Sequence, residues 1–404
     1  MNTTGIKGIL GLLALLFIVN SGLMAQSGTL NGQDSLRRVI TTAVPFISFA
    51  PDSRASGMGD VGVATSADAN SVHWNNGKLA FIDSKFGASI SYSPWLATIT
   101  NDMALYYLSG YYKIDRVQTV AVSMRYFDLG SIQLTDDTGG LLGVDNPREG
   151  AVDATYSRKL SENLGIGVTA RYIWSNIIGS VSGISQKGTS VAVDVGTYYN
   201  KDLHLGRTNA NLALGAHVSN IGQKVTYSTD DFKDFIPINL RLGAALKLEL
   251  DPVNTLTFAV DFNKLMVPTP PIYELDADGN PVYQNGKRVI VRGKDPDRNL
   301  ISGMFGSFSD APDGFSEEMA EIMISAGTEY WYRDLFAARA GYFYEAESKG
   351  GRKYFTLGVG FRYQKFGVDF SYLIPGEQDH PLAETIRFSL LFDFAKGDTG
   401  EDLN

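Results

Sequence analysis

Apolar and polar residues alternate with a period of two along most of the chain, most clearly in the C-terminal segment 385–394. The polar face of that segment carries Thr385, Arg387, Ser389 and Asp393, with Leu391 as its one apolar member. Successive side chains of a β-strand point to opposite sides, so the pattern predicts a strand with one apolar face. That apolar face consists of Ile386, Phe388, Leu390, Phe392 and Phe394.

The same alternation recurs along the chain and predicts fourteen strands in all. Several alternate as cleanly as the C-terminal segment, with charged residues confined to one face. The predicted strands are 85–92, 102–114, 118–128, 149–159, 163–175, 189–200, 209–220, 237–250, 254–264, 322–332, 335–345, 353–363, 366–373 and 384–394.

The lengths of the connections alternate as well. Links after even-numbered strands are tight, and only 201–208 is longer, whereas links after odd-numbered strands are long, the longest being 265–321. Outer-membrane barrels show this asymmetry, with short periplasmic turns and long external loops. An even number of strands also predicts that both ends of the chain return to the periplasm.

A closed barrel is the fold that these features favour, because lipid tolerates no unpaired strand edge. We therefore predict an all-β protein, a 14-stranded antiparallel transmembrane β-barrel over residues 85–396, in the bacterial outer membrane. The segment 26–84 is expected to fold into the lumen, with 265–321 as a long external loop and 397–404 as a periplasmic tail.

The N-terminus has the layout of a secretory signal peptide. Lys7 precedes an apolar run over 9–19, and small residues lead to Ala25, after which cleavage is expected. The alternative is a transmembrane anchor, for which the run is short, since a span needs about 20 apolar residues. Residues 1–25 are therefore expected to direct export.

Composition narrows the class further. The chain has no cysteine, which excludes disulfides and thiolate metal sites, and its net charge of -9 argues against nucleic-acid binding. The abundance of glycine (43), tyrosine (20) and phenylalanine (22), with a mean hydropathy of only -0.07, is typical of outer-membrane barrels.

Charged residues of both signs fall on the inward faces of the predicted strands. A single charge on the lipid face would cost about 2–4 kcal/mol at mid-membrane, so these residues must line the interior. Two alternatives remain open, a lumen filled by ion pairs and an ion-selective pore. The inward charges are Arg125, Arg171, Asp194, Arg241, Lys247, Asp261, Glu329, Arg339, Arg362, Asp369, Arg387 and Asp393.

No motif for catalysis, a cofactor or a metal stands out. The four histidines (His73, His204, His217 and His380) have no metal-ligand spacing. Gly57, Gly59 and Gly62 match a dinucleotide-binding glycine pattern, but the strand and helix that this pattern needs on either side are lacking. We predict instead that these glycines let the backbone approach the barrel wall closely.

The long loop 265–321 turns apolar towards its end. Apolar residues on an external loop indicate either a surface for a partner or a lid folded into the barrel mouth, and both alternatives stay open. The candidate partner-binding residues are Met304, Phe305, Phe308 and Phe315.

The segment 46–81 carries a family resemblance. The run from Ala50 to Asn70 (APDSRASGMGDVGVATSADAN), with Trp74-Asn75 and Lys78-Leu-Ala-Phe81, closely resembles the PorV (LptO) family of the Bacteroidetes type IX secretion system. One departure is Asn76-Gly77, where the family usually has Pro-Ala, and it falls at a local turn.

The resemblance implies a FadL/OmpP1-like barrel that binds cargo proteins carrying a C-terminal signal domain. It further implies transfer of that cargo from the SprA (Sov) translocon to the surface attachment complex that contains PorU, with outer-membrane lipid around the barrel and no enzymatic step. The alternatives are a FadL-like channel for hydrophobic compounds, for which the charged interior is unsuited, and a purely structural or adhesive barrel.

Overall fold

Fourteen antiparallel strands close into one barrel in the computed structural model, which describes residues 37–97, 100, 102–136, 138–177, 187–227, 233–276, 279–376 and 385–396. The expected signal peptide and periplasmic tail lie outside the described residues. The strands are β1 (Ser84–Pro94), β2 (Ala104–Lys113), β3 (Gln118–Asp128), β4 (Arg148–Lys159), β5 (Leu164–Asn176), β6 (Gly188–Leu205), β7 (Thr208–Gly222), β8 (Asn239–Asp251), β9 (Asn254–Leu265), β10 (Met323–Tyr332), β11 (Phe336–Tyr344), β12 (Lys353–Tyr363), β13 (Phe366–Pro375) and β14 (Ile386–Lys396).

The barrel closes between its first and last strands. Phe86 of β1 pairs with Phe394 of β14, and their rings stack with centroids 5.0 Å apart. The apolar face of β14 points outward, while Arg387, Ser389 and Leu391 are buried inside. The predicted fold class and the predicted orientation of this strand are both confirmed.

One predicted link is wrong. Strand β6 continues to Leu205 and pairs with β7 as far as Thr208, so the turn consists only of Gly206 and Arg207. Gly206 has φ 67°, a conformation that glycine adopts readily in a two-residue hairpin turn. All six links at this end of the barrel are therefore short, and the contrast with the long-loop end is stronger than the sequence indicated.

Residues 37–83, which we call the plug, lie inside the barrel. The plug contains two one-turn helices, α1 (Ser53–Ser56) and α2 (Ser71–Trp74), and two 3-10 turns, Pro45–Ser48 and Asn76–Phe81. The side chain of Asp52 accepts a hydrogen bond from the backbone N–H of Ala55 (3.0 Å) and so caps α1.

The plug runs from one end of the barrel to the other. At the long-loop end, the Arg38 N–H donates to the carbonyl of Ser348 (2.9 Å). At the short-turn end, Lys113 Nζ donates to the carbonyl of Ile82 (2.6 Å) just before β1 begins. The strands do begin and end at the short-turn end as predicted, but the described chain starts at the opposite end.

Glycine allows the plug to approach the wall closely, as predicted. A Cβ on Gly59, which has φ 73°, would lie 2.6 Å from the backbone nitrogen of Tyr342 in β11. A Cβ on Gly341 in the same strand would lie 2.0 Å from the carbonyl carbon of Met58. Any side chain at either position would push the plug away from the strand.

The long-loop end carries the remaining elements. These elements are three two-stranded ribbons (Ile132–Thr135 with Leu141–Asp145, Ile272–Tyr273 with Ile290–Arg292, and Tyr283–Gln284 with Lys287–Arg288), helices α3 (Leu300–Gly306) and α4 (Phe315–Ala320), and the 3-10 turn Glu347–Lys349. None of the described residues forms a helix long and apolar enough to cross a membrane.

Candidate functional site

Ion pairs between the plug and the wall fill the lumen. Arg54 of the plug lies 2.8 Å from a carboxylate oxygen of Glu329 and 2.9 Å from one of Asp68. Glu329 also binds Arg339 (2.7 Å), which in turn binds Asp369 (2.8 Å). Nine of the twelve predicted inward charges are buried, and six of these nine lie in ion pairs, namely Arg171, Asp194, Glu329, Arg339, Asp369 and Arg387. Of the two alternatives for the interior, the structure supports the filled lumen.

A second buried cluster lies across strands β4 to β7. Arg171 binds Asp153 (2.7 Å) and Asp194 (3.0 Å), and Asp194 accepts the backbone N–H of Asn220 (2.7 Å). The sequence analysis did not single out Asp153, although the alternation in the predicted strand 149–159 places it on the polar face. The sequence therefore contained the information needed to predict Asp153 as an inward charge.

The glycine-rich part of the plug is held by a single carboxylate of the wall. Asp261 Oδ2 accepts the backbone N–H groups of Gly62 (2.7 Å) and Val63 (2.9 Å). Lys78 Nζ donates to the carbonyl of Gly62 (2.7 Å) and so holds the same turn from within the plug. The glycine pattern therefore serves packing inside a barrel.

The turn at the departure from the family pattern is well formed. Asn75 accepts the N–H of Gly77 (3.0 Å) and thereby caps the following 3-10 turn. Asn76 donates through Nδ2 to Thr169 of β5 (2.9 Å), and Gly77 lies close to the backbone of β6. The Asn-Gly pair thus adds polar contacts with the wall.

Two histidines are buried in the interior. His73 Nδ1 accepts a hydrogen bond from Arg125 (2.8 Å), while His204 is exposed at the short-turn end. His217 is completely buried opposite Arg241, and His380 lies outside the described residues. Within the described part of the chain, no group of three or more His, Cys, Asp or Glu side chains could hold a metal.

An ion-pair cluster fixes the long loop over the barrel mouth. Lys264 at the end of β9 binds Glu318 of α4 (3.0 Å) and also contacts Glu321. Lys349 from the loop after β11 binds Glu317 (2.6 Å) and Glu321 (2.9 Å). Because these side chains are largely buried, α4 is clamped between the wall at β9 and the loop after β11.

The four candidate partner-binding residues fall into two groups. Met304 is only 6% exposed and packs in the apolar cluster that contains Phe235, so its side chain is not available at the surface. Phe305, Phe308 and Phe315 are exposed, Phe305 at 63% and Phe315 at 80%. Met304 was predicted to bind a partner, and this prediction is corrected because its position on α3 directs the side chain inward. Phe305, the next residue, points outward.

The described part of the long loop has an inward side and an outward side. The inward side of the loop folds onto the mouth through Met304 and the acidic face of α4. The outward side leaves apolar side chains in solvent at positions one turn apart in each helix. These outward residues, which we call the loop apolar face, are Ile301, Phe305, Phe308, Phe315 and Met319.

Glu317 makes the clamp sensitive to acid. Burial by itself raises its pKa, but hydrogen bonds from Arg38 and Lys349 outweigh burial and lower the pKa from 4.5 to about 2. A lowered pKa in the folded state contributes stability that is complete above the ordinary value and lost as the pH falls towards about 2. The clamp is thus fully formed at neutral pH.

Replacing Glu317 by glutamine is expected to loosen α4 and leave the barrel intact. Removing Glu317 from this mostly buried cluster leaves Lys349 with Glu321 alone and takes from Arg38 its bond to Glu317, so amide exchange over 311–321 should rise about tenfold or more at pH 7. Hydrogen–deuterium exchange, corrected for intrinsic rates, measures this. The exposed Glu274→Gln in the same loop is the control, and equal exchange in both variants would contradict the clamp.

Comparison with known proteins agrees with this architecture. Residues 32–272, more than half of the chain, match the family described as type IX secretion system protein PorV. None of the curated proteins matches the sequence. The fold and the filled interior define an outer-membrane β-barrel occupied by its own N-terminal segment. The chain belongs to the PorV family and is an outer-membrane component of the type IX secretion system.

Several solved structures are similar to the barrel. The toluene transporter TbuX of Ralstonia pickettii shares 10% identity, with a TM-score of 0.46 over 85% of this chain and 98% of its own. The monoaromatic hydrocarbon channel CymD shares 13%, with a TM-score of 0.47 over 85% and 98%. A FadL homologue of Pseudomonas aeruginosa shares 9%, with a TM-score of 0.42 over 89% and 100%.

Proposed function

We propose that this barrel is the carrier of the secretion system. In this role it binds cargo proteins through their C-terminal signal domain at its external face. It receives them at the SprA translocon and delivers them to the attachment complex that contains PorU. Family membership supports the secretion system as the setting, and the cargo, the translocon and the attachment complex are the parts that we propose. The carrier makes and breaks no covalent bond.

The observation that carries the proposal is the loop apolar face on a clamped support. Exposed aromatic side chains such as Phe305 and Phe315 are the residue types that dominate binding energy in protein interfaces. The clamp of Lys264 and Lys349 on α4 holds part of this face in place before a partner arrives. A preorganised surface loses less conformational entropy on binding than a loose loop does.

The filled lumen supports docking at the surface and disfavours transport through the barrel. A channel for hydrophobic compounds needs a continuous apolar route, whereas Arg54 of the plug pairs with Glu329 of the wall inside the lumen, and Arg171 and Asp153 pair on the inner face of neighbouring strands. Moving an apolar molecule past these groups would require the plug to leave its contacts. The proposal therefore places recognition in the external loops.

Affinity purification of the tagged barrel from detergent-solubilised outer membranes tests the proposal. We expect the bound proteins to include secreted proteins that share a C-terminal domain, together with the translocon, and we expect secretion to fail when the gene is deleted. Liposomes containing the purified barrel should take up toluene no faster than empty liposomes. Rapid uptake with normal secretion would instead favour the channel, and normal secretion without uptake would favour a structural barrel.

A further inference from the structure

A cavity of about 360 Å³ lies at the long-loop end, between the plug and the wall. Its lining comes from the plug, from Trp95 after β1, and from β8 to β12, β14 and the loops that join them. A volume of this size is typical of pockets for small molecules, which measure about 300–1,000 Å³. The cavity is separate from the loop apolar face, and the carrier role makes no use of it.

Arg241 in the wall of this cavity is a buried cation without an acidic partner. Its side chain is 5% exposed, and its guanidinium lies 5.3 Å from the centre of the Trp74 ring. One nitrogen donates to the carbonyl of His73 (3.1 Å). Among the described residues, no carboxylate oxygen lies within 4.0 Å of it, whereas Arg171 and Arg339 each have two acidic partners.

Two more polar atoms in the lining have no hydrogen-bond partner among the described residues. Arg387 contacts Asp60 through Nη1 (3.3 Å), but its buried Nε has no hydrogen-bond acceptor among the described residues. The buried side-chain oxygen of Asn239, two residues before Arg241 on the same face of β8, likewise lacks a donor in the described part of the chain. A buried guanidinium with free N–H groups is unfavourable unless an acceptor arrives.

The rest of the lining combines apolar side chains with three carboxylates, each of which already has a cationic partner, namely Asp60 with Arg387, Glu321 with Lys349 and Glu345 with Arg352. Its aromatic members include Phe49 and Trp95, whose rings stack 4.2 Å apart, and Phe343 from β11. Ile40 of the plug and Leu265 of β9 add aliphatic surface. The cavity thus combines an apolar wall with a guanidinium that a planar two-oxygen anion can satisfy through paired hydrogen bonds.

We propose that this cavity binds a small carboxylate with an apolar body. Arg241 holds the carboxylate, and the apolar body packs against the aromatic wall at Phe49 and Trp95. Two sources share this chemistry, namely a fatty acid and the free C-terminus of a short apolar peptide. The proposal does not depend on the carrier role, because it concerns a different part of the molecule.

Calorimetric titration of the full-length barrel in detergent tests the proposal with 4-phenylbutyrate and its neutral analogue 4-phenylbutan-1-ol. We expect the carboxylate to bind at least about tenfold more tightly than the alcohol, which corresponds to about 1.4 kcal/mol or more. Equal binding of the two compounds, or no binding of either, would overturn the proposal without any variant.

Substitutions then locate the site. Arg241→Gln should weaken carboxylate binding about tenfold or more, and Arg241→Lys should restore only part of the affinity, because it keeps the charge but loses the paired hydrogen bonds. Lys247→Gln is the matched control, since Lys247 is an inward cation on the same strand that lines a different cavity near the other end. An equal loss in Lys247→Gln and Arg241→Gln would contradict the assignment.

Heat-modifiable migration on gels shows whether the Arg241→Gln barrel folds. If it does not fold, a second variant keeps the test decisive. Asn239→Asp leaves Arg241 in place but adds a negative charge beside it, and it should weaken carboxylate binding and leave alcohol binding unchanged. Decanoate and an apolar hexapeptide, with a free or an amidated C-terminus, separate the two sources. Tighter binding of decanoate assigns a fatty acid, and tighter binding of the free peptide over its amide assigns a C-terminus.

Discussion

Replacing Glu329 by glutamine is expected to lower the free energy of unfolding by about 3–5 kcal/mol, the largest single-residue effect on stability that we anticipate. Glu329 is 2% exposed and accepts hydrogen bonds from Arg54 (2.8 and 3.0 Å) and Arg339 (2.7 Å). The amide keeps the shape but removes the charge, so the guanidinium of Arg54 loses its main partner between plug and wall. The plug should then detach from β10.

Equilibrium unfolding in urea of the barrel refolded into lipid vesicles measures this loss, with tryptophan fluorescence as the signal. The control is Glu347→Gln, which removes an ion pair with Lys353 of similar length (2.7 Å) whose carboxylate is 72% exposed. Exposed pairs contribute about 0–1 kcal/mol, so this control should differ little from the unaltered protein. Equal destabilisation by the two substitutions would rule out a special role for burial.

The combined substitution Phe305→Asn and Phe315→Asn is expected to abolish recovery of cargo with the barrel. Each residue is largely exposed, so the change should not disturb packing, and aromatic hot-spot residues contribute about 2 kcal/mol or more each. Together these values amount to about 4 kcal/mol, which corresponds to a loss of affinity of about a thousandfold. Quantitative mass spectrometry of cargo co-purified from solubilised membranes provides the measurement.

Leu141→Asn with Leu142→Asn is the matched control, because both side chains are exposed on a different external ribbon. This control should retain its cargo, and both barrels should insert normally. Unchanged recovery in the phenylalanine variant would remove the loop apolar face from the proposed carrier role. Loss in both variants would show that recognition extends over several loops.

The strands were predictable because lipid and lumen impose opposite demands on neighbouring residues. The alternation alone gave the ends of β3 and β12 as observed, 118–128 and 353–363. Inward charges such as Arg339 and Asp369 were placed correctly for the same reason, since neither can face hydrocarbon. A period of two residues indicates whether a side chain faces lipid or lumen, even when the residues that it contacts are not known.

Features that depend on distant contacts were beyond the sequence. Met304 is apolar like its exposed neighbours, and only the packing of α3 against Phe235 shows that it is buried. The clamp joins Lys264 to Glu318, 54 positions away, and no local pattern indicates that pairing. The path of the plug was equally hidden, because its polar residues find partners on six or more strands.

The course of the plug has a consequence for assembly. Residues 37–83 run the length of the lumen and continue directly into β1, which must join β14 to complete the ring. Because the plug fills the lumen and is held there by ion pairs with the surrounding strands, it could enter a closed barrel only by threading through it from end to end. We therefore expect the strands to assemble around the plug, with the pairing of β1 and β14 as the last step.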